Sequence, residues 1–272
     1  MLYDLIQETT AYIQSRITIR PTVGVILGSG LGSLADMIEQ PVAIPYSDIP
    51  NFPVSTVEGH AGNLIFGQLN GKDTVLLNGR FHYYEGYNMQ EVTFPVRIMK
   101  ALGVETLIVS NAAGGMNKDF RVGDIMLIRD HINLFPEHPL RGRNDSRLGT
   151  RFPDMSEPYD HTLLQRAHEI ARQQHIDVQE GVYIGLQGPT FETRAEYYWL
   201  HVIGGDAVGM STVPEVIVAM HGGGMKVFAA SIITDLGIRE ELNVITHEEV
   251  LEAANNAAPK LAKIVSELVG TL

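Results

Sequence analysis

The stretch VGVILGSGLG, residues 23–32, decides the fold. Val23-Gly24-Val25-Ile26-Leu27 is a short, unbroken apolar run, the pattern of a strand buried on both faces. Gly28-Ser29-Gly30-Leu31-Gly32 follows at once, and Leu34-Ala35-Asp36-Met37-Ile38 then predicts a helix. Strand, glycine loop and helix in this order open an α/β layer. Upstream, Leu2, Leu5, Ile6, Tyr12, Ile13 and Ile17 recur at helical spacing, and Pro21 helps to end that helix.

Downstream the alternation continues. Leu64–Leu69 and Thr74–Leu77 flank Asn70-Gly71, a strong hairpin signal. Glu91–Leu102 predicts a helix, and Glu105–Val109 a strand running into Asn111-Ala112-Ala113-Gly114-Gly115. Residues 131–160 are rich in Pro, Gly and Arg and predict a long irregular loop, of a length that is usually functional or packed on a partner. Leu163, Leu164, Ala167, Ile170 and Ala171 mark a further helix, and Gly181–Leu186 a strand leading into Gln187-Gly188-Pro189-Thr190-Phe191-Glu192. Thr193 with Glu196, and Thr246 with Glu249, form capping boxes that each open a helix. Between them lie a strand at Asp206–Gly209, a helix at Val213–Met220 and a strand at Val227–Ile233 ending near Asp235. Pro259 predicts a kink in the last helix. With no repeat, low-complexity tract or linker, the chain reads as one α/β domain over 1–272. Its sheet is expected to be mostly parallel, with antiparallel pairing at the hairpin.

Composition narrows the function. Of 272 residues 44% are apolar and 19% charged, which fits a globular protein and excludes a disordered or fibrous one. No apolar run approaches the ~20 residues of a membrane helix, and the N-terminus lacks the pattern of an export signal. Without cysteine, disulfides and thiolate chemistry are excluded. The net charge of −12 opposes general attraction to nucleic acid or anionic lipid. A small anionic substrate remains compatible, because a few local donors outweigh a screened distant field. A cytoplasmic enzyme acting on small molecules is expected.

In open α/β sheets ligands sit beyond the carboxyl ends of the strands, where this chain has several polar, glycine-rich segments. Gly28–Gly32, with the Ser29 hydroxyl, suits an oxyanion at a helix N-terminus, though a tight turn looks the same. Ser33 breaks the Gly-x-Gly-x-x-Gly dinucleotide fingerprint, and no Gly-Lys-Ser/Thr of a P-loop occurs. If the chain stays extended after Gly79, Arg80, His82 and Tyr84 share one face, a donor-rich surface for an anion; the alternative is a solvated edge strand. Ser211 follows the strand ending at Gly209, with Met210 as an apolar floor, and equally reads as a helix cap. With Thr193 serving as cap, Glu192 is left to face a ligand or solvent. Asp235 at another strand end either reads a heterocycle or turns the chain. His247 opens the last helix, at the positive end of its dipole, a place for a neutral imidazole that donates or accepts. The histidines show no metal-binding spacing.

Taken in order, eight segments resemble the trimeric purine nucleoside phosphorylases: LGSGLG (27–32), STVEGHAG (55–62), GRFHYYEGY (79–87), NAAGG (111–115), RFPDMS (151–156), GPTFET (188–193), AVGMSTVPEV (207–216) and HEEVL (247–251). The resemblance spans nearly the whole chain. It implies a mixed central sheet flanked by helices, a homotrimer, and reversible phosphorolysis of purine (deoxy)nucleosides to free base and pentose 1-phosphate. Inorganic phosphate is then a co-substrate, with no cofactor and no metal. The resemblance further implies phosphate ligands Ser29, His60, Arg80, His82, Ser211 and the backbone of Ala112, and ribose contacts Tyr84, Met210 and His247. Phe152 would be lent to the ribose site by a neighbouring subunit. Phe191, Glu192, Val208, Thr234 and Asp235 would form the base pocket, with His82, Glu192, Asp235 and His247 carrying the catalysis.

Two features depart from the family pattern. The 134–140 loop is shorter than usual, and Asp235 stands where members acting on inosine and guanosine usually have asparagine. An amide donates to a purine O6 or N7, whereas a carboxylate only accepts and suits a 6-amino group. A protonated Asp235 would instead act as general acid toward N7. Glu192 suits the N1–H of a 6-oxopurine, which favours inosine and guanosine. The alternatives are an adenosine or methylthioadenosine phosphorylase, a non-catalytic nucleoside-binding protein and, by architecture alone, a nicotinamide-dependent dehydrogenase, which the broken fingerprint opposes.

Overall fold

The computed structural model describes residues 1–28, 32–54, 62–238 and 246–272. Helix α1 (Leu2–Gln14) packs Ile6 and Ile13 inward and leads to β1 (Val23–Ile26), buried at all four positions. The expected helix at 34–38 is a 3-10 turn, Gly32–Met37, in which only Leu34 is buried; so narrow an apolar face does not hold a full helix against the core. The chain passes directly into β2 (Glu39–Pro45), which no apolar alternation announces because only Ile44 is buried. β3 (Asn63–Leu69) and β4 (Lys72–Asn78) form the expected hairpin, with Asn70 and Gly71 both at positive φ as a two-residue turn demands.

The helix expected over 91–102 starts earlier and breaks in two, α2 (Met89–Val92) and α3 (Phe94–Leu102). Pro95, in the first turn of α3, has no N–H to continue the ladder. β5 (Thr106–Gly115) runs through the whole NAAGG segment. β6 (Ile125–Asn133) takes the first residues of the stretch read as loop, leaving 134–160 without helix or strand. Then come α4 (His161–Gln173), β7 (Val178–Gly185), α5 (Arg194–Val202), β8 (Ala207–Gly209), α6 (Val213–His221), β9 (Lys226–Leu236) and α7 (His247–Gly270). Helix α7 continues through Pro259 as a single helix.

The sheet is mixed and, as expected, mostly parallel, but its antiparallel pairing is not confined to the hairpin. Its strand order is β2-β3-β4-β1-β5-β8-β7-β6-β9, and β9 pairs back onto β5. β5, β8, β7, β6 and β9 therefore close into a ring without an open edge. β5–β8 and β6–β9 run antiparallel inside this ring, while β1–β4, β1–β5 and β5–β9 run parallel. The β5–β9 register, regular from Thr106↔Lys226 to Ala113↔Ile233, then jumps to Gly114↔Asp235. Thr234 is the extra residue of a bulge, and a bulge re-aims the side chains beside it.

Ile232 is fully buried on β9, opposite Ala112 of β5 on one side and Ile125 of β6 on the other. Truncation of Ile232 to alanine leaves a cavity in the ring and is expected to cost about 2–5 kcal/mol, read from the urea unfolding midpoint.

Candidate active site

A cavity opens where β4, β5, β8 and β9 end. One end of it is cationic. Gly79, at φ 111°, turns the chain after β4 and delivers Arg80, whose side chain is only 1% exposed. Its Nε donates to Glu215 Oε1 at 3.0 Å, Nη2 lies 2.9 Å from the same oxygen in the ion pair, and Nη1 donates to the Ser110 carbonyl at 2.7 Å. Glu215 is the one carboxylate on helix α6, and it fixes the guanidinium plane. His82 keeps an extended backbone (φ −120°, ψ 151°), so it shares a side with Arg80. Tyr84 arrives differently. The chain leaves the extended conformation in a 3-10 turn, Tyr83–Glu85, closed by the Glu85 carboxylate. Glu85 Oε1 accepts from the His82 backbone N–H at 2.7 Å and lies 3.1 Å from His82 Nδ1. The turn stacks the Tyr84 ring on the His82 imidazole, centroids 4.7 Å apart. Burial pulls the His82 pKa below its ordinary value, and the bond to Glu85 opposes this.

Ser211 belongs to the same end. Thr212 has φ 72° and ψ −56°, and Val213 N–H donates to the Ser211 carbonyl at 2.8 Å. This is a γ-turn of the rare positive-φ kind, strained for a β-branched residue by about 1–3 kcal/mol. The turn is over-determined by its surroundings: Thr212 is fully buried, and its hydroxyl accepts from Asn111 Nδ2 at 2.8 Å.

The far end carries carboxyls. Thr193 caps α5 through the expected capping box with Glu196, and Glu192, just before it, lines the cavity. Burial raises the Glu192 pKa above its ordinary value, with a smaller push from nearby Asp235. Thr234 and Asp235 are adjacent in sequence yet both line the cavity, which a regular strand forbids and the β9 bulge allows. Thr234 Oγ1 lies 3.2 Å from Asp235 Oδ1, and the Tyr197 hydroxyl donates to Asp235 Oδ2 at 2.9 Å.

Arg80, His82, Tyr84, Ala112, Phe191, Glu192, Val208, Met210, Ser211, Thr234, Asp235 and His247 thus line one cavity. Ser29 and His60 lie outside the described residues. Phe152 does not line this chain's cavity; it is 85% exposed in the irregular segment after β6, under the Arg151 guanidinium. Asn111, Tyr197 and Val250 also line the cavity, and sequence reading assigned them nothing. A lone acid in the apolar run 213–220 was the available signal for Glu215, and the inward Tyr197–Leu200 spacing of α5 the one for Tyr197. Among the described residues no cluster of three His, Asp or Glu could hold a metal, and no helix is long and apolar enough to cross a membrane.

Residues 22–270 match the phosphorylase superfamily. The chain is 54% identical over 264 residues to purine nucleoside phosphorylase 1 of Geobacillus stearothermophilus, covering 97% of this chain and 96% of that protein. It superposes with a TM-score of 0.94 on a crystal structure of a Schistosoma purine nucleoside phosphorylase in complex with hypoxanthine, 42% identical, covering 99% of this chain and 97% of that one. The Schistosoma mansoni enzyme in complex with adenosine gives the same TM-score, 0.94, with 42% identity and the same coverage, 99% and 97%.

Replacing Glu215 by alanine leaves the Arg80 charge buried without its carboxylate. The expected loss is about 3–5 kcal/mol of stability, measurable by urea unfolding.

Proposed function

The chain belongs to the purine nucleoside phosphorylases of the phosphorylase superfamily, and from that premise we propose which residues carry each part of the reaction. The observation that carries the reading is the polarity of the cavity. An arginine, a histidine and a serine hydroxyl lie at one end, two carboxyls at the other, with Tyr84 and Met210 also on its walls.

The cationic end takes inorganic phosphate, through Arg80, His82, Ser211 and the Ala112 backbone, joined by Ser29 and His60. Tyr84, Met210 and His247 contact the ribose, together with Phe152 of the partner subunit in a homotrimer. Phe191, Val208, Glu192, Thr234 and Asp235 hold the purine. As the ribosyl–purine bond breaks, the sugar becomes cationic and the base gains negative charge. A phosphate fixed opposite that bond supplies nucleophile and counter-charge together, and such positioning contributes about 7–11 kcal/mol in favourable cases. The phosphate oxygen bonds to the anomeric carbon while the bonding pair leaves with the base. His82, Glu192, Asp235 and His247 orient the groups and compensate charge; no covalent enzyme intermediate forms. The enzyme works without metal or cofactor, and its single domain spans the chain in the cytoplasm.

Glu192 accepts from the N1–H of a 6-oxopurine, which makes inosine and guanosine the preferred substrates. Asp235 can accept from a 6-amino group, so adenosine is a weaker one. Base release from inosine and guanosine should require phosphate. Release without phosphate, or none from any purine nucleoside, contradicts the reading.

The acid limb of kcat/KM for inosine follows from Glu192. Its raised pKa means that it takes up a proton above the ordinary 4.5, and the protonated form no longer offers N1–H a carboxylate. Activity should therefore fall on acidification at a pH above that value. Glu192→Gln should remove this limb and lower kcat/KM by about 10- to 100-fold, the size of one hydrogen bond to a charged group.

A further inference from the structure

Tyr197 sits on the inward face of α5, one turn after the Thr193 cap, and is 2% exposed. Its neighbours Met116, Ile184, Leu200 and Val208 form a small apolar cluster. A phenylalanine would satisfy those contacts equally well, so they do not account for the hydroxyl. What accounts for it is Asp235, whose Oδ2 accepts from it at 2.9 Å. Glu192, the other carboxyl at the base end of the cavity, is near enough to add to the upward push on the Tyr197 pKa.

The surrounding backbone is shaped to admit it. A Cβ on Gly114 would fall 2.6 Å from the Tyr197 hydroxyl and 3.1 Å from Asp235 Oδ2, and one on Gly237 would fall onto the Tyr197 ring. Two strand-end glycines thus clear the space that the tyrosine fills. Burial, with Asp235 the next cause, pushes the Tyr197 pKa upward, so the phenol keeps its proton and stays a donor. The other oxygen of Asp235 lies 3.2 Å from the Thr234 hydroxyl, which has a proton to give.

We propose that Tyr197 is a positioning residue for base selection: its hydroxyl holds Asp235 with lone pairs turned to the purine, and so sets the use of 6-amino relative to 6-oxo nucleosides. This rests on the assignment of Asp235 to the base pocket made above. An Asp235 held as an acceptor complements a donor on the base, and the exocyclic amino group of adenosine is one. It offers nothing to O6 of inosine, which is read through Glu192 at N1.

The test compares phosphate-dependent kcat/KM for adenosine and inosine in the wild type, Tyr197→Phe, Asp235→Asn and the double variant, with the KM for phosphate measured alongside. Tyr197→Phe should lower the adenosine-to-inosine ratio about tenfold, leave the phosphate KM unchanged, and add little once Asp235 is asparagine. Equal losses on both nucleosides, or additive effects in the cycle, would overturn the proposal, because either is what a packing role produces. A wild type that cleaves inosine but not adenosine would overturn it too. If Tyr197→Phe does not fold, Asp235→Asn alone decides: an unchanged ratio refutes the role given to the pair. Failure of the wild type to cleave any nucleoside with phosphate would instead remove the assignment beneath it.

Discussion

Arg80 carries its charge into the interior of a protein whose net charge is −12, and Glu215 makes that tolerable. The two side chains are 1% and 3% exposed, and a guanidinium that deep needs both a carboxylate and further acceptors. Ser110 on β5 supplies one through its carbonyl. The ion pair thereby ties the segment after β4, the middle of β5 and helix α6 into one unit. Ser211, placed by the strained turn that opens α6, is held in the same frame. The overall negative charge repels anions at long range, but screening confines that repulsion to about a Debye length. Inside the cavity the local donors decide.

The opposite end depends on a different constraint, the closure of the ring by β9. To pair with both β5 and β6, β9 must follow the ring's curvature, and its bulge at Thr234 falls where the strand reaches the cavity. The bulge sets two consecutive polar side chains on one face. With Glu192 delivered by the capped start of α5, two carboxyls meet at one end of a pocket whose other end is cationic. A ligand spanning both would need an anionic part and a part bearing hydrogen-bond donors, which is the description of phosphate and a purine nucleoside side by side.

Much of this was legible from residue order. Apolar runs and glycine loops place β1, β4 and β9, the Asn70-Gly71 turn places the hairpin, and the two capping boxes place α5 and α7 to the residue. β2 was not legible, because an exposed edge strand has no buried face to leave an alternating pattern. The ring was not legible either, since the β5–β9 and β6–β9 pairings join residues more than a hundred positions apart and sequence carries no local mark of them. In the site, groups that touch the cavity from strand ends stand out, whereas the groups behind them do not. Glu215 acts on Arg80 from helix α6, Glu85 on His82 from the end of the turn that His82 opens, and Tyr197 reaches Asp235 across the gap between a helix and a strand. Even Tyr84, whose position looked like simple strand alternation, gets to the cavity through a turn that only the Glu85 contact explains.

The central claim is that one cavity holds phosphate at its cationic end and purine at its carboxyl end. A crystal structure with inorganic phosphate and hypoxanthine bound tests it most directly. The account predicts phosphate oxygens within hydrogen-bonding distance of Arg80, His82 and Ser211, and the purine beside Phe191 with N1–H on Glu192 and its imidazole edge toward Asp235. Phosphate bound away from Arg80, or a purine seated outside the Glu192–Asp235 pocket, would contradict it.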